Sequence, residues 1–170
     1  MTASRDPSAG PRPTPTLIML VGLPYSGKST LARRMDAPIV CPDEIRLALH
    51  GHRYAPAAER WVWAMADVMV KALFGAGHAQ VVLDACSHTL ERREAWASPH
   101  WSRKFVVMTT PLEVVRQRAA ADAEIVEVID RMASAYQGPE LDPVHPSELS
   151  DPVVDYFPKL QMPRAPADGA

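Results

Sequence analysis

The 170-residue sequence contains few cysteines and no long apolar run. Its two cysteines, Cys41 and Cys86, have neither a metal-binding spacing nor a disulfide framework, so reduced thiols are expected. No stretch of about 18 apolar residues occurs, so no membrane-spanning helix is expected. The N-terminus also lacks the apolar segment of a signal peptide. These absences together predict a cytoplasmic protein.

A strong net charge is missing as well. The formal net charge is −2, so no overall basic surface points to nucleic acid, although a local basic groove is compatible with this balance. The basic residues are almost all arginine, and lysine occurs only at positions 28, 71, 104 and 159. A single arginine is therefore weak evidence of function in this sequence, whereas Lys28 stands out.

Apolar runs alternate with helix-compatible segments between two polar, proline-rich ends. The ends, residues 1–15 and 161–170, have the composition of disordered tails, which leaves 16–160 as one domain. Strands are predicted at 16–22, 37–41, 79–86 and 104–110, with 152–157 a poor candidate for a fifth. Helices are predicted from Lys28 and over 43–51, 55–74, 90–98 and 111–136, the last with a break near 121–123. The alternation predicts a parallel α/β sheet with crossover helices on both faces.

The predicted helix 55–74 carries an apolar stripe that we expect to pack in the core. The stripe consists of Trp61, Met65, Val68, Met69, Ala72 and Leu73. A Gly-Ala-Gly sequence after the helix predicts its end.

The stretch GLPYSGKST, residues 22–30, matches the pattern G-x-x-x-x-G-K-[ST] and lies between a predicted strand and a predicted helix. In such a loop, backbone N–H groups point at phosphate oxygens. Lys28 would reach the β- and γ-phosphates, and the Ser29 hydroxyl would ligate Mg²⁺. The loop predicts nucleotide binding through Gly22, Leu23, Pro24, Tyr25, Ser26, Gly27, Lys28, Ser29 and Thr30.

Tyr25 is a bulky residue within a turn of small ones. One interpretation is that it lines the acceptor pocket and stacks on a ring of the acceptor. The other is that its side chain is tolerated and points to solvent. The sequence does not separate the two.

Two acids follow predicted strands, where parallel sheets bind their ligands. Asp84 ends the apolar run VVLD and is a predicted Mg²⁺ ligand. Asp43 opens a helix, where it can be an N-cap, a base that accepts a hydroxyl proton, or both. Arg46 lies one helical turn further on the same face and could bind an anionic group. Together, Asp43 and Arg46 favour a site that binds the molecule receiving the phosphoryl group.

Four segments, GLPYSGKSTLAR, PDEIRLALHG, VVLDACSHTLERREAW and PLEVVRQR, occur in this order within residues 16–140. They resemble the P-loop kinase group of polynucleotide kinases and zeta-toxin-like ATPases. The resemblance implies a three-layer P-loop NTPase fold with about five parallel strands in the order 2-3-1-4-5. It also implies ATP- and Mg²⁺-dependent transfer of the γ-phosphate to a hydroxyl, either at a nucleic-acid 5′ end or on a small molecule such as a nucleotide sugar or an antibiotic.

The resemblance also suggests roles for individual residues. Asp43 matches the general base, and Arg46 matches the neighbouring arginine that contacts the acceptor. Asp84 matches the acid of the third strand, and Arg93 matches an arginine of the helix that follows it, on the substrate side.

In this chain, the segment that matches the family's lid helix departs from the usual pattern. Arg118 matches the first of two arginines spaced R-x-x-x-R that clamp the ATP phosphates, but Asp122 stands at the second position. Either Arg116 substitutes or phosphoryl transfer is weaker than usual. A nucleotide-binding switch without efficient turnover is therefore an alternative to a kinase, and the acceptor and the oligomeric state stay open.

Overall fold

Four parallel strands form the centre of the structure, a computed structural model that describes residues 13–138. They are β1 (Thr16–Val21), β2 (Ile39–Val40), β3 (Gln80–Leu83) and β4 (Ser102–Val107). Their order in the sheet is β2-β3-β1-β4, and all three pairings are parallel. The predicted fold class and the order of the first four strands are confirmed. The fifth-strand candidate and both predicted tails, apart from residues 13–15, lie outside the described residues.

Six helices lie within residues 13–138. They are α1 (Lys28–Ala32), α2 (Pro42–His50), α3 (Glu59–Gly75), α4 (Leu90–Glu94), α5 (Leu112–Ala119) and α6 (Ala123–Ser134). The predicted break near 121–123 is confirmed: α5 ends at Ala119, and the side chain of Asp122 caps α6 by accepting a hydrogen bond from the Ile125 N–H at 3.2 Å. Gly51 ends α2 in the left-handed conformation, with φ 74°.

Strand β1 is buried on both faces. Leu17, Met19 and Val21 belong to the apolar cluster that includes residues of α2 and α3, whereas Ile18 and Leu20 pack with residues of α1 on the opposite face. Each of these five side chains is at most 2% exposed. The continuous apolar run of β1 therefore reflects cover by helices on both sides, as expected for a central parallel strand.

The face of α3 that packs on the sheet differs from the predicted stripe. Its buried residues are Val62, Ala66 and Val70. Five members of the predicted stripe are exposed instead, namely Trp61, Met65, Val68, Met69 and Ala72, and only Leu73 packs partly against the core. The prediction was wrong because it followed the largest side chains. The buried row has a four-residue spacing and consists of small side chains, which allow a helix to approach a sheet closely.

The rotation of α3 predicts effects of very different size on stability for two valines two residues apart. Val70→Ala removes two methyl groups at a fully buried position and should lower the free energy of unfolding by about 2 kcal/mol. Val68→Ala is the matched control, since Val68 is 62% exposed, and it should change stability by less than about 0.5 kcal/mol. Urea unfolding of both variants measures the difference. A larger loss for Val68→Ala would contradict the observed rotation.

Candidate active site

The predicted phosphate loop connects β1 to α1 at the carboxyl end of the central strand. Its backbone is held from several sides: the Gly22 N–H donates to the Cys86 carbonyl at 3.0 Å, and the Ser26 N–H donates to the Leu23 carbonyl at 3.2 Å. The Thr110 hydroxyl donates to the Ser26 carbonyl at 2.8 Å. Residues that follow β3 and β4 therefore fix the loop before any ligand arrives.

The geometry of the loop requires both glycines of the motif. A Cβ atom on Gly22 would lie 2.8 Å from the Met108 Cβ and 2.8 Å from the Ser26 Oγ, which is too close for any side chain. Gly27 has φ 99° and Tyr25 has φ 61°, so both occupy the left-handed region. Glycine adopts this region freely, whereas it costs a tyrosine about 1 kcal/mol or more.

Lys28 is folded across the loop. Its side chain is buried, and its Nζ donates to the Leu23 carbonyl at 2.6 Å. The Cys86 thiol lies close to this ammonium group: burial raises the pKa of Cys86, and the charge of Lys28 opposes that shift. Burial also raises the pKa of Cys41, so both cysteines are free, neutral thiols near the predicted site.

The residues predicted to hold Mg²⁺ have suitable chemistry. Ser29 lies in the first turn of α1, and Asp84 follows the last residue of β3. Asp84 is only 7% exposed, and no cation of the described residues forms an ion pair with its carboxylate. A buried carboxylate needs a counter-charge, which a bound Mg²⁺ would supply. No cluster of three or more His, Cys, Asp or Glu residues within 13–138 could hold a metal alone, so phosphate and water oxygens would complete the shell.

Asp43 lies in the first turn of α2, beyond the end of β2, which neighbours β3 in the sheet. Cys41 occupies the N-cap position, and no side chain caps this helix, so the N-cap interpretation of Asp43 was wrong. The Asp43 side chain is 81% exposed and accepts a hydrogen bond from Arg46 Nη1. Its carboxylate is therefore both oriented and open to an incoming group.

Arg46 is fixed by a partner that the sequence did not predict. Glu59 accepts two hydrogen bonds from its guanidinium, from Nε and from Nη2, each at 2.7 Å. This pairing raises the pKa of Arg46 and lowers that of Glu59. The Arg46 side chain is 11% exposed, which favours a positioning role towards Asp43. No motif indicated Glu59, because it lies 13 residues away at the start of another helix.

The two lid arginines considered from the sequence have different surroundings. Arg118 Nη1 donates to the Tyr25 carbonyl at 3.1 Å, so it reaches the phosphate loop. Arg116 instead pairs with Asp130 of α6, with Nε 2.8 Å from Oδ1. Asp122, at the position of the second family arginine, caps α6. Arg118 is thus the arginine of this segment that contacts the loop.

Arg93 is buried and bonds to backbone carbonyls. Its guanidinium donates to Ser87 at 3.0 Å, to Gln137 at 2.8 Å and to Gly138 at 3.2 Å. At 2% exposure it joins the loop after β3 to the segment after α6. These contacts favour a structural role over the substrate contact that the resemblance implied.

His88 lies in the same loop and is 6% exposed. Its Nδ1 is buried without a hydrogen-bond partner among residues 13–138. Burial lowers the pKa of His88 to about 4, and the nearby charges of Arg92, Lys28 and Arg93 act in the same direction. The imidazole is therefore neutral at pH 7.

A glycine-rich phosphate loop on the central strand of a parallel sheet, with acids after the two neighbouring strands, defines a P-loop nucleotide-binding protein. Residues 17–139 match the family described as AAA domain, and the chain belongs to that family. The resemblance stated from the sequence is thereby confirmed. No curated protein matches this sequence.

Solved structures share the fold. A chain of the Pnkp1/Rnl/Hen1 complex is 29% identical, with a TM-score of 0.56 over 64% of this chain and 40% of that chain. A chain of the Pnkp1/Rnl/Hen1 RNA repair complex is 22% identical, with a TM-score of 0.55 over 97% and 52%. The APS kinase CysC of Mycobacterium tuberculosis, in complex with AMPPNP and APS, is 23% identical, with a TM-score of 0.55 over 84% and 97%.

The alignments thus cover only about half or less of the two repair-complex chains. At 22% and 23% identity, the second and third similarities concern the fold alone. Together, the family, the fold and the loop place the chain among P-loop nucleotide-binding proteins. None of the helices within residues 13–138 is long and apolar enough to cross a bilayer.

The buried neutral state of His88 predicts a pH dependence of stability. Between pH 6.5 and about 4 the unfolded chain binds a proton that the folded chain does not, so His88 lowers stability as the pH falls through this window. Between pH 7.5 and pH 4.5, the free energy of unfolding of His88→Gln should therefore fall by roughly 2 kcal/mol less than that of the wild type.

Urea unfolding at both pH values measures this difference. His78→Gln, which changes an exposed histidine, is the matched control and should follow the wild type. Parallel pH profiles for His88→Gln and the wild type would contradict the assignment.

Proposed function

We propose that the protein is an ATP- and Mg²⁺-dependent kinase that transfers the γ-phosphate to a hydroxyl, with a polynucleotide 5′-hydroxyl as the first acceptor class. The observation that carries the proposal is the exposed carboxylate of Asp43, which Arg46 orients at the sheet edge that also bears the phosphate loop. A nucleotide-binding loop needs no such group for binding alone, whereas transfer to an alcohol needs a proton acceptor.

On the donor side, backbone N–H groups of the loop, Lys28 and the helix N-terminus would bind the ATP phosphates. Arg118 already contacts the loop through the Tyr25 carbonyl and would neutralise charge on the γ-phosphate. When bound by Ser29 and Asp84, Mg²⁺ would neutralise phosphate charge. Lys28 would exchange its bond to the Leu23 carbonyl for bonds to phosphate oxygens.

On the acceptor side, Asp43 would take the proton of the attacking hydroxyl. The hydroxyl oxygen then bonds to the γ-phosphorus while the bond from that phosphorus to the bridging oxygen breaks, and ADP leaves with the electron pair. Arg46, held by Glu59 on its other side, would keep the Asp43 carboxylate in place. In this proposal Arg46 acts on the acceptor mainly through Asp43.

Two comparisons bear on the acceptor. The similarity at 29% identity is to a chain of the Pnkp1/Rnl/Hen1 complex, and a related structure is described as an RNA repair complex, which supports a nucleic-acid end. A small-molecule hydroxyl is the second candidate, because the fold is shared with an APS kinase. The switch alternative stays open, since Asp122 caps α6 and Arg116 pairs with Asp130, so neither supplies a second lid cation at the phosphate loop.

Replacing the proposed base tests the acceptor half. Asp43→Asn keeps the shape of the side chain and should lower phosphoryl transfer by about a hundredfold or more while ATP binding is retained. The matched control is Glu44→Gln, the neighbouring exposed acid of the same turn, which should transfer at the wild-type rate. Transfer of radiolabelled γ-phosphate to 5′-hydroxyl oligonucleotides, nucleosides, nucleotide sugars and aminoglycosides measures the effect. Unchanged transfer by Asp43→Asn to every acceptor would refute the mechanism.

Replacing Lys28 tests the donor half separately. Lys28→Ala removes the ammonium group expected at the β- and γ-phosphates and should weaken ATP binding by at least about tenfold. Isothermal titration with AMPPNP and Mg²⁺ measures this without turnover. If Lys28→Ala bound AMPPNP as tightly as the wild type, the assignment of the loop would fail.

Tyr25 is proposed to line the acceptor side. The residue is 40% exposed, and its backbone already has the left-handed conformation that glycine adopts freely. Tyr25→Gly can therefore keep the loop geometry, and it should weaken acceptor binding more than ATP binding. Separate KM values for acceptor and ATP measure this, and a larger change for ATP would contradict the role.

A further inference from the structure

Helix α3 carries an apolar stripe on its solvent-facing side. The stripe consists of Trp61, Met65, Val68 and Ala72, which are all exposed, with Met69 at its border. Single apolar residues on a surface are ordinary, whereas a contiguous row of them marks an interaction site. Neither the packing of the fold nor the proposed kinase reaction accounts for this stripe.

The spacing of the stripe is that of a helix–helix contact. Its members follow one another at intervals of four, three and four residues, which is the 3.5-residue period of a coiled-coil seam. Val62, Ala66 and Val70 hold a different side of α3 against the core. The stripe is therefore presented on a helix whose orientation is already fixed.

The stripe is complementary to itself in an antiparallel arrangement. A two-fold axis midway between Met65 and Val68 places these two side chains opposite each other in two copies of the chain. The same axis places Trp61 of one copy opposite Ala72 of the other. The largest side chain thus meets the smallest, and the two of intermediate size meet each other.

Few charges need to leave water when the stripe is covered. None of its members is charged, and Lys71, which borders it, forms an ion pair with Asp67 of the same helix at 2.6 Å. In the antiparallel arrangement the two Lys71 residues lie about 13 Å apart along the helix axes, each beside Ala64 of the other copy. A parallel arrangement would place Lys71 against Lys71 and Trp61 against Trp61. Both the charges and the side-chain volumes favour the antiparallel pair.

The exposed area suits a reversible dimer. Trp61, Met65, Val68 and Met69 are 39% to 62% exposed and present roughly 400 Å² of apolar surface on each copy, within the range of functional surface patches. A standard interface buries about 800 Å² on each partner. The contact is therefore large enough for association and smaller than that of a permanent complex.

We propose that the exposed stripe of α3 is the contact surface of a homodimer, in which two copies of α3 pack antiparallel around a two-fold axis between Met65 and Val68. The dissociation constant is on the order of 10 µM, as expected for a contact of this size. Urea unfolding of Val68→Ala and Val70→Ala belongs well below this concentration, where the chain is monomeric.

Sedimentation velocity of the full chain between about 1 and 200 µM tests the dimer. The wild type should pass from monomer to dimer over this range. Val68→Glu should weaken association by at least about a hundredfold, because each dimer would bury two carboxylates. The matched control is Leu49→Glu, which adds the same charge at an apolar residue of α2 that is 44% exposed, and it should dimerise like the wild type. A wild-type chain that stays monomeric, or equal association by Val68→Glu, would overturn the proposal and leave the stripe to another protein or to residues of this chain outside 13–138.

A mixture of two variants tests the antiparallel register. Met65→Lys should also weaken self-association, since lysine would face Val68 of the second copy. In an equimolar mixture with Val68→Glu, the new lysine faces the new glutamate, and Met65 and Val68 on the remaining chains still face each other. The mixture should therefore associate at least about tenfold more tightly than either variant alone. A parallel pair brings neither contact together, so a mixture no tighter than its components would refute the register.

Dimerisation is separate from the proposed kinase activity. Glu59 and Trp63 lie two residues before and after Trp61, about 200° around α3, so the residues that contact Arg46 face away from the pairing surface. Val68→Glu should therefore bind AMPPNP and Mg²⁺ in isothermal titration with the wild-type affinity while it fails to dimerise. Dimers without phosphoryl transfer would overturn the kinase function alone, and transfer by a chain that is monomeric at about 200 µM would overturn the dimer alone.

Discussion

The close approach of three chain segments at Gly22 is the constraint on which the site depends. The Met108 N–H donates to the Val21 carbonyl at 2.8 Å, and the N–H of Gly22, one residue beyond β1, donates to the Cys86 carbonyl at 3.0 Å. The space at Gly22 is so small that a single added methyl group would collide with Met108. The phosphate loop therefore begins where the hydrogen-bond ladders of the sheet end, and the sheet sets its position.

From that edge, charged and aromatic side chains form a continuous series on the side proposed to bind the acceptor. Asp43 bonds to Arg46, Arg46 to Glu59, and Trp63 lies between the guanidinium groups of Arg46 and Arg92. Each member limits the rotamers of the next, which is how an exposed carboxylate can keep one orientation. Residues on helices hold a side chain in a fixed geometry more precisely than residues on loops do.

The sequence was sufficient to predict those parts of the molecule that depend on local pattern. The buried strand β1, the loop after it and the acids beyond β2 and β3 follow from apolar runs and from a motif with fixed spacing. The rotation of α3 did not, because Val62, Ala66 and Val70 are less conspicuous than the larger residues on the exposed side. Glu59 and Trp63 were missed because their roles depend on how two helices pack, which no short spacing encodes.

Arg93 joins two segments that are distant in the sequence. By bonding to the carbonyls of Ser87 and Gln137, it braces the loop after β3 against the segment after α6, and the Gln137 N–H donates to the His88 carbonyl at 2.9 Å. The phosphate loop has its own supports from Cys86 and Thr110. Leu23 of the phosphate loop also packs in one buried cluster with Val115 of α5 and Ile129 of α6. A change in α6 therefore reaches both the phosphate loop and the loop after β3, so these two loops are constrained to diverge together.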